Sequence, residues 1–298
     1  MPPEPSLRSL LAPAGVDPGG LVLVVVLALG YAIGVRRLAA RGRRWPATRS
    51  VAFASGVALV VVATQSGLAR YEDVLFSAHS AQHVLLGMLA PALLALGAPV
   101  TLALQATSRP LQVVLLRVLH SAPLRVVAHP VVIWVVFGGT LVALYNGPLL
   151  ELSLRDDVVH GAVHAHFLAA GALFCWTAIG VDPNPHRLPP GARIAFVFLA
   201  VPVHAVVGLT LLTSTSLVAG GSYAEAPPAW LDDVLADQRL GAGVLWATGE
   251  LFGLVLTGVA LARWMAAEER SGRRQDALLD AAAQQAALDA GARPGARR

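Results

Sequence analysis

The sequence predicts an all-α polytopic membrane protein, with seven transmembrane helices, its N-terminus outside the cell and its C-terminus in the cytoplasm. Composition is the first reason: 56% of the 298 residues are hydrophobic, 13% are charged, and the mean hydropathy is +0.64. Soluble domains carry roughly 25% charged residues, so the class of conventional soluble enzymes is excluded. The second reason is a series of apolar segments near the length of about 20 residues that a spanning helix needs. The third is the placement of the arginines.

The apolar segments follow one another along almost the whole chain. They cover residues 21–38, 51–69, 78–103, 126–145, 158–179, 194–218 and 242–264. Arginines follow the first segment instead of preceding it, the reverse of a signal peptide, so we expect this span to be retained. The predicted divisions are an extracytoplasmic segment (1–19), a transmembrane bundle (20–264) and a cytoplasmic tail (265–298). The alanine-rich tail is expected to form an exposed or interfacial helix.

The distribution of arginines tests the number of spans, because cytoplasmic loops carry an excess of basic residues. All 22 basic residues are arginines, and 18 of them lie in the tail or after the first, third and fifth spans. The other four are Arg8, Arg70, Arg155 and Arg239. An even number of spans would break this alternation, so the count and the orientation of the spans support each other.

Two pairs of histidines are the strongest chemical signal in the chain. His79 and His83 open the third span, and His160 and His164 open the fifth. Both spans run inward, so all four residues are expected near the outer surface. A separation of four residues turns a helix by about 400°, which places both members of a pair on one face. Imidazoles bind metals at about 2.0–2.1 Å, so we predict one metal site between these spans.

Further polar residues are expected around this site or in a cavity below it. They are His166, His204 in the sixth span, Glu250 in the seventh and Met88 after the first histidine pair. Ionisable residues at bilayer depth are costly unless they are paired, and they commonly mark functional sites. His166 lies two residues beyond His164 and is expected to point away from the metal.

The residues alone leave copper, zinc and haem iron open, because imidazole binds all three. The single cysteine, Cys175, is expected to be a buried apolar residue in the inner half of the fifth span. Lysine is absent, as are Gly-x-Ser-x-Gly and His-Glu-x-x-His motifs. The arginine-rich first loop has only Trp45 as an aromatic residue, so it does not indicate nucleic-acid binding. No catalytic residue is assigned, and the chain is not expected to be an enzyme.

Several short motifs, in order, resemble the multi-pass CtaG family of cytochrome c oxidase assembly factors. They are HSAQHVLL (79–86), Ala90-Pro91, LGAP (96–99), HAHF (164–167) with Gly171, Phe174 and Trp176, GVDP (180–183), Pro202-x-His204-x3-Gly208 and Asp237-Gln238-x2-Gly241-x-Gly243-x2-Trp246. The resemblance covers about residues 50–264. It implies a plasma-membrane protein that matures a haem–copper oxidase through copper supply. It also implies copper as cargo, oxidase subunits or a copper donor as partners, and His79, His83, His160, His164 and His204 as copper ligands.

Two other functions compete with this assembly role. A membrane redox protein could hold one haem between His83 and His164 as axial ligands. A proton-coupled metal transporter could use His204 and Glu250 as an inward relay. The transporter would need polar groups in the inner half of the bundle, and beyond these two residues that half is mostly apolar.

Overall fold

The computed structural model describes residues 2–13, 15 and 17–291, and none of these residues forms a β-strand, which confirms the all-α class. The first half of the chain contains α1 (Leu7–Leu11), α2 (Pro18–Ala40), α3 (Ala47–Gln65), α4 (Gly67–Tyr71), α5 (Phe76–Val84), a π turn (Leu85–Leu89), α6 (Ala90–Leu96), α7 (Pro99–Ala106), α8 (Arg109–Leu119) and α9 (Ala122–Val127). The second half contains α10 (Pro130–Asn146), α11 (Leu149–Arg155), α12 (Asp157–Ile179), α13 (Pro190–Phe198), α14 (Val201–Thr213), a 3₁₀ turn (Ala219–Gly221), α15 (Ser222–Glu225) and α16 (Val234–Gly291).

Within the described residues, six helical segments are long and apolar enough to cross a membrane, and a bent pair brings the count to seven if it is taken as one span. The six are Pro18–Ala40, Ala47–Gln65, Phe76–Ala106, Asp157–Ile179, Pro190–Thr213 and Val234–Gln285. The bent pair is α10 and α11, which meet at an angle of 72°. The segment predicted as the fourth span is therefore a broken helix whose second part turns sharply after Asn146, and it counts as a span only if both parts are taken together. The chain is a multi-pass membrane protein with six to seven candidate spans.

Local caps explain where the spanning helices begin and end. The side chain of Asp17 accepts hydrogen bonds from the backbone N–H groups of Gly19 and Gly20 at the start of α2, where Pro18 occupies the first turn. Asp156 caps α12 in the same way. These carboxylates satisfy donors that a helix leaves unpaired at its N-terminus. α12 ends at Gly180, whose φ of 61° suits glycine.

The third span is interrupted by a π turn directly after the histidine pair of α5. Pro91 has no backbone N–H, so it cannot donate to the carbonyl of Gly87 as a regular helix requires. A Cβ added to Gly171 of α12 would lie only 2.1 Å from that same Gly87 carbonyl oxygen. The lost hydrogen bond and the close approach of α12 together explain the wide turn at this point.

The loops gather at two opposite ends of the bundle. At the arginine-rich end, Arg41 donates to the carbonyl of Thr107, and His186 binds the carbonyl of Arg125. At the other end, which we call the histidine end, Arg155 pairs with Glu225. α10 and α11 join these two ends, because Arg125 precedes them and Arg155 ends them. The arginine-rich loops, which alternate with arginine-poor loops along the sequence, therefore lie together at one end of the bundle.

The N-terminal segment and α16 are both anchored at the histidine end. Tyr71 donates to the carbonyl of Pro3, and Trp230 donates to the carbonyl of Pro2. Asp237, in the first turn of α16, accepts from the backbone and hydroxyl of Ser77. α16 does not end at residue 264; it continues as one helix through the tail to Gly291, and the side chains of 277–285 are exposed.

Candidate metal centre

The two predicted histidine pairs face each other between α5 and α12. The ring centroids of His83 and His164 are 5.8 Å apart, and those of His79 and His160 are 6.3 Å apart. Within each pair the centroids are 4.0 Å (α5) and 4.3 Å (α12) apart. His79 and His83 are fully buried. The spacing of four residues thus places both members of a pair on one face, as expected, and packing brings the two faces together.

Glu72, which lies in the turn between α4 and α5, completes this group. Its Oε2 atom is 3.0 Å from Nε2 of His160 and 3.3 Å from Nε2 of His164. Burial disfavours the charged carboxylate, but hydrogen bonds and positive charge from the two histidines outweigh it, so the pKa of Glu72 is lowered below its ordinary value. The side chain is therefore an anion at neutral pH. We call Glu72, His160 and His164 the metal triad.

Both ring nitrogens of His160 face oxygen atoms. Nδ1 is 3.2 Å from the carbonyl oxygen of Ser153, and Nε2 is 3.0 Å from the carboxylate of Glu72. A carbonyl only accepts, so Nδ1 carries a proton, and the lone pair of a neutral imidazole is then left on Nε2. Two lone pairs cannot face each other at this distance without a positive species between them. The arrangement calls for a second proton or a metal ion.

The separations within the metal triad are compatible with a metal site. Ligand atoms bonded at about 2.0 Å in a tetrahedral arrangement lie about 3.3 Å from one another. One potential ligand atom from each of Glu72, His160 and His164 can be chosen so that all three lie within 4.8 Å of one another. His79 adds two buried nitrogen atoms that lack a hydrogen-bond partner. No protein group in the described part of the chain satisfies these two nitrogen atoms, so they are available to a ligand or to water.

The metal triad opens onto an acidic cleft of about 390 Å³. Asp17, Glu72, Asp73 and Asp157 supply its carboxylates, and Arg70 also lines it. Burial, and then the negative charge of Glu72, raise the pKa of Asp73. A recess lined by carboxylates raises the local concentration of cations. The cleft can therefore lead a cation to the triad.

The remaining predicted residues divide into two groups. His83, Met88 and His204 line one small buried cavity below the histidine pairs. His166 points away, as expected, and its Nε2 lies 2.7 Å from the hydroxyl of Thr140. Glu250 lines neither the cleft nor this cavity. Glu72 takes the place near the histidines that we expected for Glu250.

Cys175 is fully buried among apolar side chains, as the sequence predicts.

Two residues that contact the histidines in the structure were not predicted from the sequence, Glu72 and Tyr145. Glu72 lies in an acidic outer loop, and its only signal is that it lies seven residues before His79. Tyr145 approaches Nδ1 of His83 with its hydroxyl at 3.1 Å. Nothing in the local pattern around Tyr145 distinguishes it from an ordinary residue at the end of a span.

Residues 29–267 match the family model of the cytochrome c oxidase caa3 assembly factor, Caa3_CtaG. The chain belongs to this family of assembly factors. It is 37% identical over 263 residues to uncharacterized proteins of Mycobacterium bovis and Mycobacterium tuberculosis, and 35% identical over 264 residues to one of Mycobacterium leprae. Each alignment covers 86% of this chain but only 40% of the relative. No solved structure matches the chain.

Close helix packing explains why glycine is required at two positions of the motifs that resemble the caa3 assembly factors. A Cβ added to Gly208 would lie 2.5 Å from Cβ of Trp246, so this glycine lets α14 contact α16. A Cβ on Gly241 would lie 2.6 Å from Cδ1 of Phe76, so Gly241 lets α16 contact α5. These later motifs hold the helices around the histidines together, whereas the earlier motifs supply the histidines.

Proposed function

We propose that this chain handles copper ions during the assembly of a cytochrome c oxidase and binds them at the metal triad, with His79 and His83 alongside. The observation that carries the proposal is the geometry of the triad: one carboxylate oxygen lies 3.0 Å and 3.3 Å from two imidazole nitrogens beside an acidic cleft. The matching relatives are more than twice the length of the chain, so the role and partners of the whole protein are part of the proposal.

Copper is favoured over other ions by the donor atoms and by the family. Sites with nitrogen and oxygen ligands bind divalent copper more tightly than the other divalent first-row metals, including zinc. The oxidases that the resemblance implies use copper together with haem. Oxidase subunits or a copper donor are the partners that this role requires, and the triad needs no catalytic group because delivery involves no turnover of a substrate.

The space around the histidines favours a single ion over a haem. The buried cavity beside His83 has a volume of about 10 Å³, room for about one water-sized sphere. Pockets for ligands of cofactor size are typically about 300–1,000 Å³. The acidic cleft reaches that size, but His83 does not line it, so neither space would hold a haem between His83 and His164.

We further propose that the histidine end lies outside the plasma membrane and that the arginine-rich end lies in the cytoplasm. The positive-inside rule supports this orientation, and it exposes the acidic cleft to cations outside the cell. Reporter fusions after Ala226 and after Arg274 test it. Activity of a periplasmic-type reporter is expected at the first site and of a cytoplasmic reporter at the second. The reverse pattern would contradict the orientation.

Loss of the chain is expected to lower the activity of the haem–copper oxidase while haem synthesis stays normal. The measurement is oxidase activity and oxidase copper content in membranes of a deletion strain grown under copper limitation. Complementation with the wild-type chain should restore both, a His160→Asn/His164→Asn variant should not, and His166→Asn should restore them as the wild type does. Full activity in the deletion strain, with no second factor present, would refute the assembly role.

A further inference from the structure

A second set of metal-binding atoms surrounds the small buried cavity below the metal triad. His83, Met88 and His204 line this cavity, together with the aromatic rings of Phe137 and Phe167. The ring of Phe167 stacks on His83 with centroids 4.2 Å apart, and Phe137 lies 5.6 Å from the ring of His204. No acidic residue is among the described residues that line it. It is therefore chemically different from the acidic cleft.

Both histidines bring an unpartnered nitrogen to this region. Nδ1 of His204 lies 3.0 Å from the carbonyl oxygen of Ala200, so Nδ1 carries the proton and the lone pair is on Nε2. That Nε2 atom is buried and has no hydrogen-bond partner. His83 is held at Nδ1 by Tyr145, and its Nε2 is likewise buried without a partner. In the tautomer in which Nδ1–H of His83 donates to the Tyr145 oxygen, Nε2 of His83 also carries a lone pair. Two such lone pairs without a donor are suited to a cation.

The π turn accounts for the presence of Met88 at this cavity. Residues five apart in a regular helix, at about 100° per residue, point about 140° away from each other. A π turn bonds residues five apart and so brings them close to one face. Met88 lies within the π turn Leu85–Leu89, which begins two residues after His83, and both residues line the cavity. In a regular α-helix this spacing would point His83 and Met88 apart, whereas the π turn lets both side chains face the cavity.

We propose that this cavity is a second metal position, specific for monovalent copper, with Nε2 of His83, Nε2 of His204 and the thioether of Met88 as ligands. Thioethers select copper(I) over harder ions. The cavity has room for about one water-sized sphere and is walled by apolar groups, which penalise a divalent ion more than a monovalent one. The metal triad, with its carboxylate, suits a divalent ion instead. This position goes beyond the proposed function because two of its ligands, Met88 and His204, can be replaced while the triad and the histidines beside it stay intact.

Copper(I) binding to the purified full-length chain in detergent tests the proposal. Copper(I) is added anaerobically against a coloured copper(I) chelator, and X-ray absorption reports whether sulfur is bound to the copper. A His160→Asn/His164→Asn chain should keep one copper(I) with a copper–sulfur signal. Adding Met88→Leu should remove that signal and weaken binding about tenfold to 100-fold, in the range seen for lost supporting ligands. His204→Asn should remove the same copper equivalent.

Met265→Leu is the matched control, since Met265 is an exposed methionine on α16; it should leave the sulfur signal and the affinity unchanged. Thermal unfolding of each variant shows that it is folded, and Met88→Leu nearly conserves side-chain volume. Unchanged copper(I) affinity in Met88→Leu and His204→Asn would mean that the cavity holds water only, and would overturn the proposal. If the triad variant keeps all wild-type copper, the triad fails as a site while this position stands.

Discussion

Replacing His160 and His164 together by asparagine is expected to weaken the binding of divalent copper by about 100-fold or more. The substitution removes two of the three ligand atoms that lie within 4.8 Å of one another, and losing even a supporting residue costs about 10–100-fold in metal affinity. Isothermal titration of copper(II) into the purified chain measures the affinity, and electron paramagnetic resonance reports the bound nitrogens. Glu72→Gln should weaken binding less, because the amide keeps an oxygen but loses the charge.

His166→Asn is the matched control for this prediction. His166 lies on the same helix, two residues beyond His164, but its ring contacts Thr140. It should bind copper(II) as the wild type does and show the same nitrogen signal. Equal copper(II) affinity in His166→Asn and in the double variant would show that the metal triad is not the site.

Gly171→Ala is expected to destabilise the fold by about 1–3 kcal/mol, the usual cost of an extra methyl group in a packed core. The new Cβ would lie 2.1 Å from the carbonyl oxygen of Gly87 and 2.9 Å from Cγ of Pro91. Neither the backbone nor the proline ring can move freely, so α12 must shift away from the π turn. The denaturation midpoint in detergent measures the loss, and weaker copper(II) binding should accompany it because α12 carries His160 and His164.

Gly161→Ala on the same helix provides the comparison, since an added Cβ there would meet nothing within 4 Å. Alanine favours helix over glycine by up to about 1 kcal/mol, so this variant should be as stable as the wild type or more stable. If Gly171→Ala and Gly161→Ala unfolded at the same denaturant concentration, the close contact between α12 and the π turn would not exist in the folded protein.

Sequence pattern was sufficient for most of the fold. Apolar segments and arginine alternation predict the spans because both follow from the thickness and the charge asymmetry of the membrane. The span predicted at 126–145 is the exception: the structure starts it at Pro130 and adds α11 after a 72° bend. The bend lies around Gly147, between α10 and α11. Its angle depends on the packing of α11 against α12, and the sequence pattern near Gly147 carries no information about that packing.

The candidate site was predicted in part. The members of each histidine pair share one face because the period of a helix determines which residues lie together, and packing between the third span and α12 brings the two faces together. Glu250 was expected near them and Glu72 was not, although both are glutamates in or beside a span. The difference is geometric: the turn after α4 brings Glu72 within reach of His160 and His164 on α12. On α16, Gly249 packs against the ring of His204, and Glu250 lines neither the acidic cleft nor the buried cavity.

The sequence by itself determined the membrane class, the spans, the family and the two histidine pairs, because each depends on composition or on periodicity within one segment. Only the tertiary structure decided that Glu72 joins His160 and His164, and that Met88 lies at the same cavity as His83. The first depends on a turn between helices, and the second on a π turn that a lost proline hydrogen bond and the close contact of Gly171 explain. Interactions between segments determine both, and no periodicity along one helix records them.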